Sequence, residues 1–231
     1  MINVFILRIP FNFGGKDDFI CPVVLKDEKN MILVDCGYTG SLPMLEKAIQ
    51  EKEITCSQLT HILITHHDHD HMGSLYELKQ KYPNIIIVSG KIEEPYISGK
   101  MKSFRLEQIE SLLKILPREQ KPIMEKYYSI INSVRPVNVN STVNEGDKFD
   151  WCGGCTIMAT PGHTSGHISL FLDKENTLIA GDACTISNDD LIMVNPQQAF
   201  DVELAQVSLD KIKNSGVKRI ICYHGGVFEY K

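Results

Sequence analysis

Apolar residues in this chain gather into short unbroken runs rather than long helical stripes. Met31-Ile32-Leu33-Val34, Ile62-Leu63-Ile64, Ile85-Ile86-Ile87-Val88 and the strand-like stretch Arg219-Ile220-Ile221-Cys222 are the clearest. Such runs are too short for buried helices and read as strands, several of them covered on both faces. The same reasoning predicts strands over residues 3–9, 19–25, 136–139, 155–159, 168–172 and 177–180. Helical spacing places helices at 42–51 (Leu42, Leu45, Ile49), at 73–82 (Leu75, Leu78) and at 202–214, the last with Asp201 as N-cap. Between about 91 and 135 the chain becomes charged and helical. Two helices are expected there, over 103–116 and 118–131, separated by Leu116-Pro117. The block reads as a helical insertion or cap on a β-rich scaffold. Phe11-Asn12-Phe13-Gly14-Gly15 reads as a flexible hairpin tip. Cys152-Gly153-Gly154-Cys155 reads as a hairpin turn, since one CxxC pair is only half a zinc site.

Composition narrows the class. The chain has 231 residues, enough for one large domain over 1–231, and a net charge of −5, which argues against a dedicated nucleic-acid surface. No apolar run approaches the roughly 18 residues of a membrane span. The N-terminal apolar stretch stops at Arg8 and Pro10 and lacks the plan of a signal peptide, so a cytoplasmic location is expected. Seven scattered cysteines fit reduced thiols.

The candidate chemistry lies at strand ends. Thr65-His66-His67-Asp68-His69-Asp70-His71-Met72-Gly73 follows the run ending at Ile64 and holds four of the eight histidines. Imidazoles and carboxylates at this density must be solvated, paired or bound to metal. Three more strand ends carry similar chemistry: Pro161-Gly162-His163, Gly181-Asp182 and His224-Gly225-Gly226.

These four motifs, in this order, resemble the metallo-β-lactamase-fold hydrolase superfamily, and Asp35 in Asp35-Cys36-Gly37 resembles that family's structural turn. The resemblance implies an α/β fold, an αββα sandwich of two mixed sheets flanked by helices. It implies two divalent ions, zinc first, with manganese or iron as alternatives. Site 1 would use His66, Asp68 and His163; site 2 would use Asp70, His71 and His224; Asp182 would bridge them. Asp68 departs from the pattern, which places histidine there; His67 or His69 could replace it, or site 1 could be weakened. A carboxylate there hardens the site and tilts it towards manganese or iron. The implied activity is attack by a hydroxide shared between the ions on a small ester, lactone, thioester or phosphodiester, with Asp70 orienting the nucleophile. A nuclease or phosphodiesterase, a mononuclear iron oxygenase and a non-catalytic sensor are the alternatives. The expected partner is a small molecule, with neither nucleic acid nor membrane, and a homodimer is compatible.

The remaining candidates weigh less. Tyr223 is either an oxyanion donor or, more simply, a buried strand-end tyrosine. His167 is expected to support a ligand, His61 to stand apart and Cys184 to fill core. Tyr96, Met101, Phe104, Tyr127 and Tyr128 line a pocket or pack the helices together. Lys100, Lys102 and Arg105 read as an exposed basic face rather than an anion site.

Overall fold

Alternate residues of each buried run face opposite layers, and this stacks the molecule. The computed structural model describes residues 3–13 and 15–230. In strand Met31–Val34, Ile32 and Val34 pack between the two main sheets, while Met31 and Leu33 pack outward under helices. Likewise Ile179 and Ile221 face the inter-sheet core, while Leu178, Ala180 and Ile220 face the helix Val202–Lys213. Both faces are covered, so these strands read as continuous apolar runs.

Two six-stranded sheets result. The first runs, in spatial order, Asn3–Ile6, Val23–Lys26, Met31–Val34, His61–Ile64, Ile86–Gly90 and Ser141–Val143. Its early pairs are antiparallel and its later ones parallel. The second runs Gly226–Glu229, Arg219–Cys222, Thr177–Gly181, Ile168–Leu172, Cys155–Ala159 and Lys148–Phe149. Helices Leu42–Gln50 and Leu75–Lys81 cover the outer face of the first sheet through Leu45, Ile49, Leu75 and Leu78. The layers are therefore helix, sheet, sheet, helix, as the family resemblance implies.

Helices Phe104–Ile115 and Lys121–Asn132 pack on each other within the crossover between parallel strands Ile86–Gly90 and Ser141–Val143. Ser103 caps the first by accepting from the Arg105 amide. Asp201 caps the helix Val202–Lys213, accepting from the Leu204 amide at 2.9 Å.

Two predicted strands divide. Residues 3–9 split into Asn3–Ile6 and Ile9–Phe13, and residues 19–25 into Lys16–Ile20 and Val23–Lys26. Pro22 has no amide to continue a ladder, and the Cys21 amide turns away to the Tyr223 carbonyl. The halves Ile9–Phe13 and Lys16–Ile20 form a separate hairpin. Gly14, in its expected turn, lies outside the described residues. The strand predicted at 136–139 is corrected to Ser141–Val143. Pro136 cannot donate, and the Val137 amide bonds Ile97 instead of the sheet. The Cys152–Cys155 segment joins two antiparallel strands as a turn, with Cys152 at φ 49°, and all seven cysteines are buried and free.

Candidate metal centre

Strands of both sheets end at one rim, and their following loops meet there. His66, Asp68, Asp70 and His71 follow His61–Ile64; His163 follows Cys155–Ala159; Asp182 follows Thr177–Gly181; His224 follows Arg219–Cys222. All seven side chains fall into three overlapping clusters among the described residues: His66, Asp68 and His163; His66, His71 and Asp182; Asp70, His71 and His224. Asp182 sits centrally, with carboxylate oxygens 3.3 Å from His71 Nε2, 3.5 Å from His163 Nε2 and 3.6 Å from His224 Nε2. Asp68 Oδ2 lies 3.1 Å from His163 Nε2, and Asp70 Oδ2 lies 3.1 Å from His224 Nε2.

The layer behind fixes which ring nitrogen faces inward. Asp35 accepts from the Thr65 amide and hydroxyl and from His71 Nδ1–H, each at 2.8 Å. Since the Thr65 hydroxyl donates to Asp35, it accepts from His66 Nδ1–H at 3.0 Å. Both rings thus turn Nε2, the nitrogen not engaged by this layer, to the cluster. Residue 35 adopts φ 59°, and its carboxylate reaches His71 directly and His66 through the Thr65 hydroxyl. His167 Nε2 accepts from the Asp182 amide at 2.9 Å, so its Nδ1–H donates to Thr160. His167 supports Asp182 from behind, as expected, and burial holds its pKa well below the ordinary imidazole value.

The Pro161-Gly162-His163 turn depends on its glycine. Gly162 adopts φ 129°, and a Cβ there would lie 2.2 Å from the Ala205 amide nitrogen. Gly162→Ala should therefore push the His163 loop off the helix Val202–Lys213. A loss of about 1–3 kcal/mol or more is expected in a urea melt; an unchanged midpoint would show that the contact is not tight.

Asp68 has a partner that sequence reasoning assigned elsewhere. Arg105 belongs to no exposed basic face: it is 4% exposed, and its Nη2 donates to Asp68 Oδ2 at 2.7 Å. Its other amino group donates to Gln108 and to the Gln198 carbonyl. Burial opposes the Asp68 charge, but Arg105 together with His163 and His66 more than offsets it and holds the carboxyl well below its usual range. Lys100 and Lys102 are exposed and pair with Glu94 and Glu110.

His67 and His69 stand outside the three clusters. His67 turns its Nδ1 to Glu93 and stacks on Tyr96 at 4.4 Å. His69 sits between the rings of Tyr38 and Tyr127. Glu93, unnoticed in the sequence, also accepts from the His67 amide, Thr164 Oγ1 and the Gly166 amide at 2.8–2.9 Å, pinning the two ligand-bearing loops together. Tyr223 is buried and donates to the Asp70 carbonyl at 2.6 Å, which places it behind the site. His61 packs against Trp151 with the rings tilted by 46°, and Cys184 Sγ packs 3.8 Å from Cys222 Sγ; neither meets the cluster. Phe104 packs on Phe200 and Tyr128 bonds Glu110, while Tyr96 and Met101 line a smaller cavity behind His67.

A cavity of about 530 Å³ opens over the cluster. Asp68, Asp70, His163, Asp182 and His224 are on its floor, with Phe11, Tyr38, Ile123, Met124, Tyr127 and Val194 around them.

The donor set suits divalent metal. His66 Nε2, His71 Nε2 and Asp182 Oδ1 are buried without a hydrogen-bond partner. Burying such atoms unsatisfied costs about 1–3 kcal/mol each, and a cation accepting their lone pairs would remove that cost. Imidazole with carboxylate is a borderline-to-hard set that fits zinc, manganese or iron. Proton competition follows from the same geometry. Burial disfavours a protonated His71 or His224, yet Asp182, together with Asp35 or Asp70, holds both pKa values above the ordinary imidazole value. Raised pKa values mean that the free site keeps its protons above about pH 6.5. Metal must displace them, so affinity should climb with pH through and beyond that value. A competing-chelator titration from pH 6 to 8 checks this; a flat profile would contradict it.

Comparison with known proteins agrees with this architecture. The family model described as "Metallo-beta-lactamase superfamily" matches residues 19–224. "Probable metallo-hydrolase YflN" of Bacillus subtilis (strain 168) is 25% identical over 207 residues, 85% of this chain and 75% of that protein. A hydroxyacylglutathione hydrolase of Rhizobium meliloti (strain 1021) is 29% identical over 171 residues, 72% of this chain. This match spans only 50% of the Rhizobium protein, and that to the B. subtilis metallo-hydrolase YqjP spans 63%. In structure, a metallo-beta-lactamase family protein from Thermus thermophilus superposes with a TM-score of 0.73 at 21% identity, covering 98% of this chain and 74% of the other. With the family model spanning most of the sequence and the same fold in both sheets, the chain belongs to the metallo-beta-lactamase superfamily.

Proposed function

We propose that this protein is a metal-dependent hydrolase of a small acyl substrate, an ester, lactone or thioester. The observation that carries this reading is the convergence of the buried His66, Asp68, Asp70, His71, His163 and Asp182 and the half-buried His224 beneath an open cavity. His66, Asp68 and His163 would hold one ion; Asp70, His71 and His224 the second; Asp182 both. Zinc is the first choice, with manganese or iron favoured by the carboxylate at position 68. When bound, such ions polarise a substrate carbonyl and lower the pKa of coordinated water towards neutrality.

The chain's own residues supply the rest. Burial opposes the Asp70 charge, but His71, His224 and His69 beside it together more than compensate, so the carboxylate stays ionised. It can accept a hydrogen bond from attacking water and aim it at the acyl carbon. Tyr223 holds the Asp70 backbone in place from behind. The helix Lys121–Asn132 acts as a cap through Ile123, Met124 and Tyr127. Relatives named as hydroxyacylglutathione hydrolases support acyl chemistry. The phosphodiester alternative is weaker, because no lysine or arginine is among the described residues lining the cavity.

Elemental mass spectrometry on protein purified without added metal or chelator, paired with an ester, lactone, thioester and phosphodiester panel, tests the reading. About two ions per chain with acyl cleavage is the expected result. An iron-only mononuclear site, or an empty one after reconstitution, would replace it with an oxygenase or a sensor.

A further inference from the structure

A second cavity adjoins the one above the cluster. It has a volume of about 440 Å³ and lies between the N-terminal hairpin, the start of helix Leu42–Gln50 and Ile130 of the helix Lys121–Asn132. The two cavities share Phe11, Tyr38 and His69 as wall residues, so the Phe11–Tyr38 ring pair, with centroids 5.1 Å apart, stands between them. Its surface comes mainly from Ile9, Pro10, Phe11, Tyr38, Met44 and Ile130, and no Asp, Glu, Lys or Arg is among its lining residues.

The two cavities differ in charge. The first carries Asp18, Asp68, Asp70 and Asp182 and no lysine or arginine among its described lining residues. Arg105, which bonds the lining residues Asp68 and Gln198, is committed to them. No lysine or arginine among the described lining residues of either cavity pairs with the carboxylates of a glutathionyl group; bound ions would neutralise Asp68, Asp70 and Asp182 and leave Asp18 as the acidic lining group. Meanwhile Met44 is 44% exposed and Ile123 is 77% exposed, apolar surface that a chain laid along the groove would cover.

We propose that the joined cavities are an acyl-chain channel, and that the substrate is an uncharged ester, lactone or thioester bearing an unbranched chain of medium length. This rests on the hydrolase reading above. The reactive carbonyl lies over Asp70 and Asp182, and the tail passes Phe11 and Tyr38 to end against Met44 and Ile130. Water adds its oxygen to the acyl carbon, the acyl–oxygen or acyl–sulfur bond breaks, and the products are the carboxylic acid and the alcohol or thiol that takes up the proton. The same acyl group on glutathione is a poor substrate.

Two measurements on the metal-loaded full chain test this. The first is kcat/KM for p-nitrophenyl esters from C2 to C10 and for a glutathione thioester of the best acyl group. The second is binding of straight-chain primary amides of C4 to C10 by calorimetry, which needs no turnover. Both should strengthen by up to about fourfold per methylene until the channel is full, the factor for burying one CH₂. Met44→Trp, with Ile130→Trp as a second variant, should collapse the long-to-short ratio in both series. A flat amide series overturns the channel whatever the turnover, as does a dimer whose second copy covers Met44 and Ile130. A glutathione thioester that outpaces the neutral esters overturns the charge argument. A graded amide series with no cleavage of any ester or thioester supports the channel and overturns the hydrolase reading instead.

Discussion

Asp182→Asn is expected to leave at most one metal ion per chain and to remove most hydrolytic activity. This carboxylate approaches three imidazoles, at 3.3, 3.5 and 3.6 Å, two of them (His71 and His224) from the second proposed site and one (His163) from the first. Asparagine keeps the shape but removes the charge. Residues that merely orient a metal ligand cost about 10- to 100-fold in affinity when changed; a residue shared between two sites should exceed that range. The His167 ring would still accept from the residue 182 amide, so the fold should persist. Elemental analysis and circular dichroism on the same sample separate the two effects. Full metal content in the variant would remove Asp182 from the proposed bridging position.

The second large effect concerns stability. Asp68→His restores the family's usual residue, yet it should destabilise the protein by about 3–5 kcal/mol, the cost of breaking a buried ion pair from one side. The reason is Arg105, whose buried guanidinium would lose its carboxylate and face another imidazole. Arg105→Gln in the same chain should recover much of the loss. The coupling between the two changes should fall toward the upper end of the roughly 0.5–3 kcal/mol seen for contacting residues. Denaturation of all four proteins, stripped of metal, measures it. Additive effects would mean that the Asp68–Arg105 contact contributes little. The double variant also tests whether Asp68 tilts metal choice, by competitive loading of zinc against manganese.

The strands and the ligand-bearing loops after them were legible in the sequence for a shared reason, while the layered sandwich was implied by the family resemblance. Strands buried on both faces appear as unbroken apolar runs, and histidines or carboxylates directly after them have few reasons to be there except chemistry. His66, His163, Asp182 and His224 each stand at such a junction. Arg105 was not legible. In sequence it follows Lys100 and Lys102, and only the packing of the crossover helices against the rim reveals that it points inward while they point out. Glu93 was hidden for a similar reason, since Glu93-Glu94-Pro95 looks like a solvated helix start. The split of the first strands escaped because it depends on a partner far along the chain: the Cys21 amide pairs with Tyr223.

The position of the cluster at the junction of the two sheets has a consequence for how the protein folds. His66 and His71 come from the first sheet, while His163, Asp182 and His224 come from the second. An ion held by both would fasten together parts of the chain separated by most of its length, and closing so long a loop early carries a large entropic cost. Metal should therefore act late on the pathway, as a latch on sheets already stacked. Its signature would be a slower unfolding rate with a nearly unchanged refolding rate, a kinetic rather than a nucleating contribution.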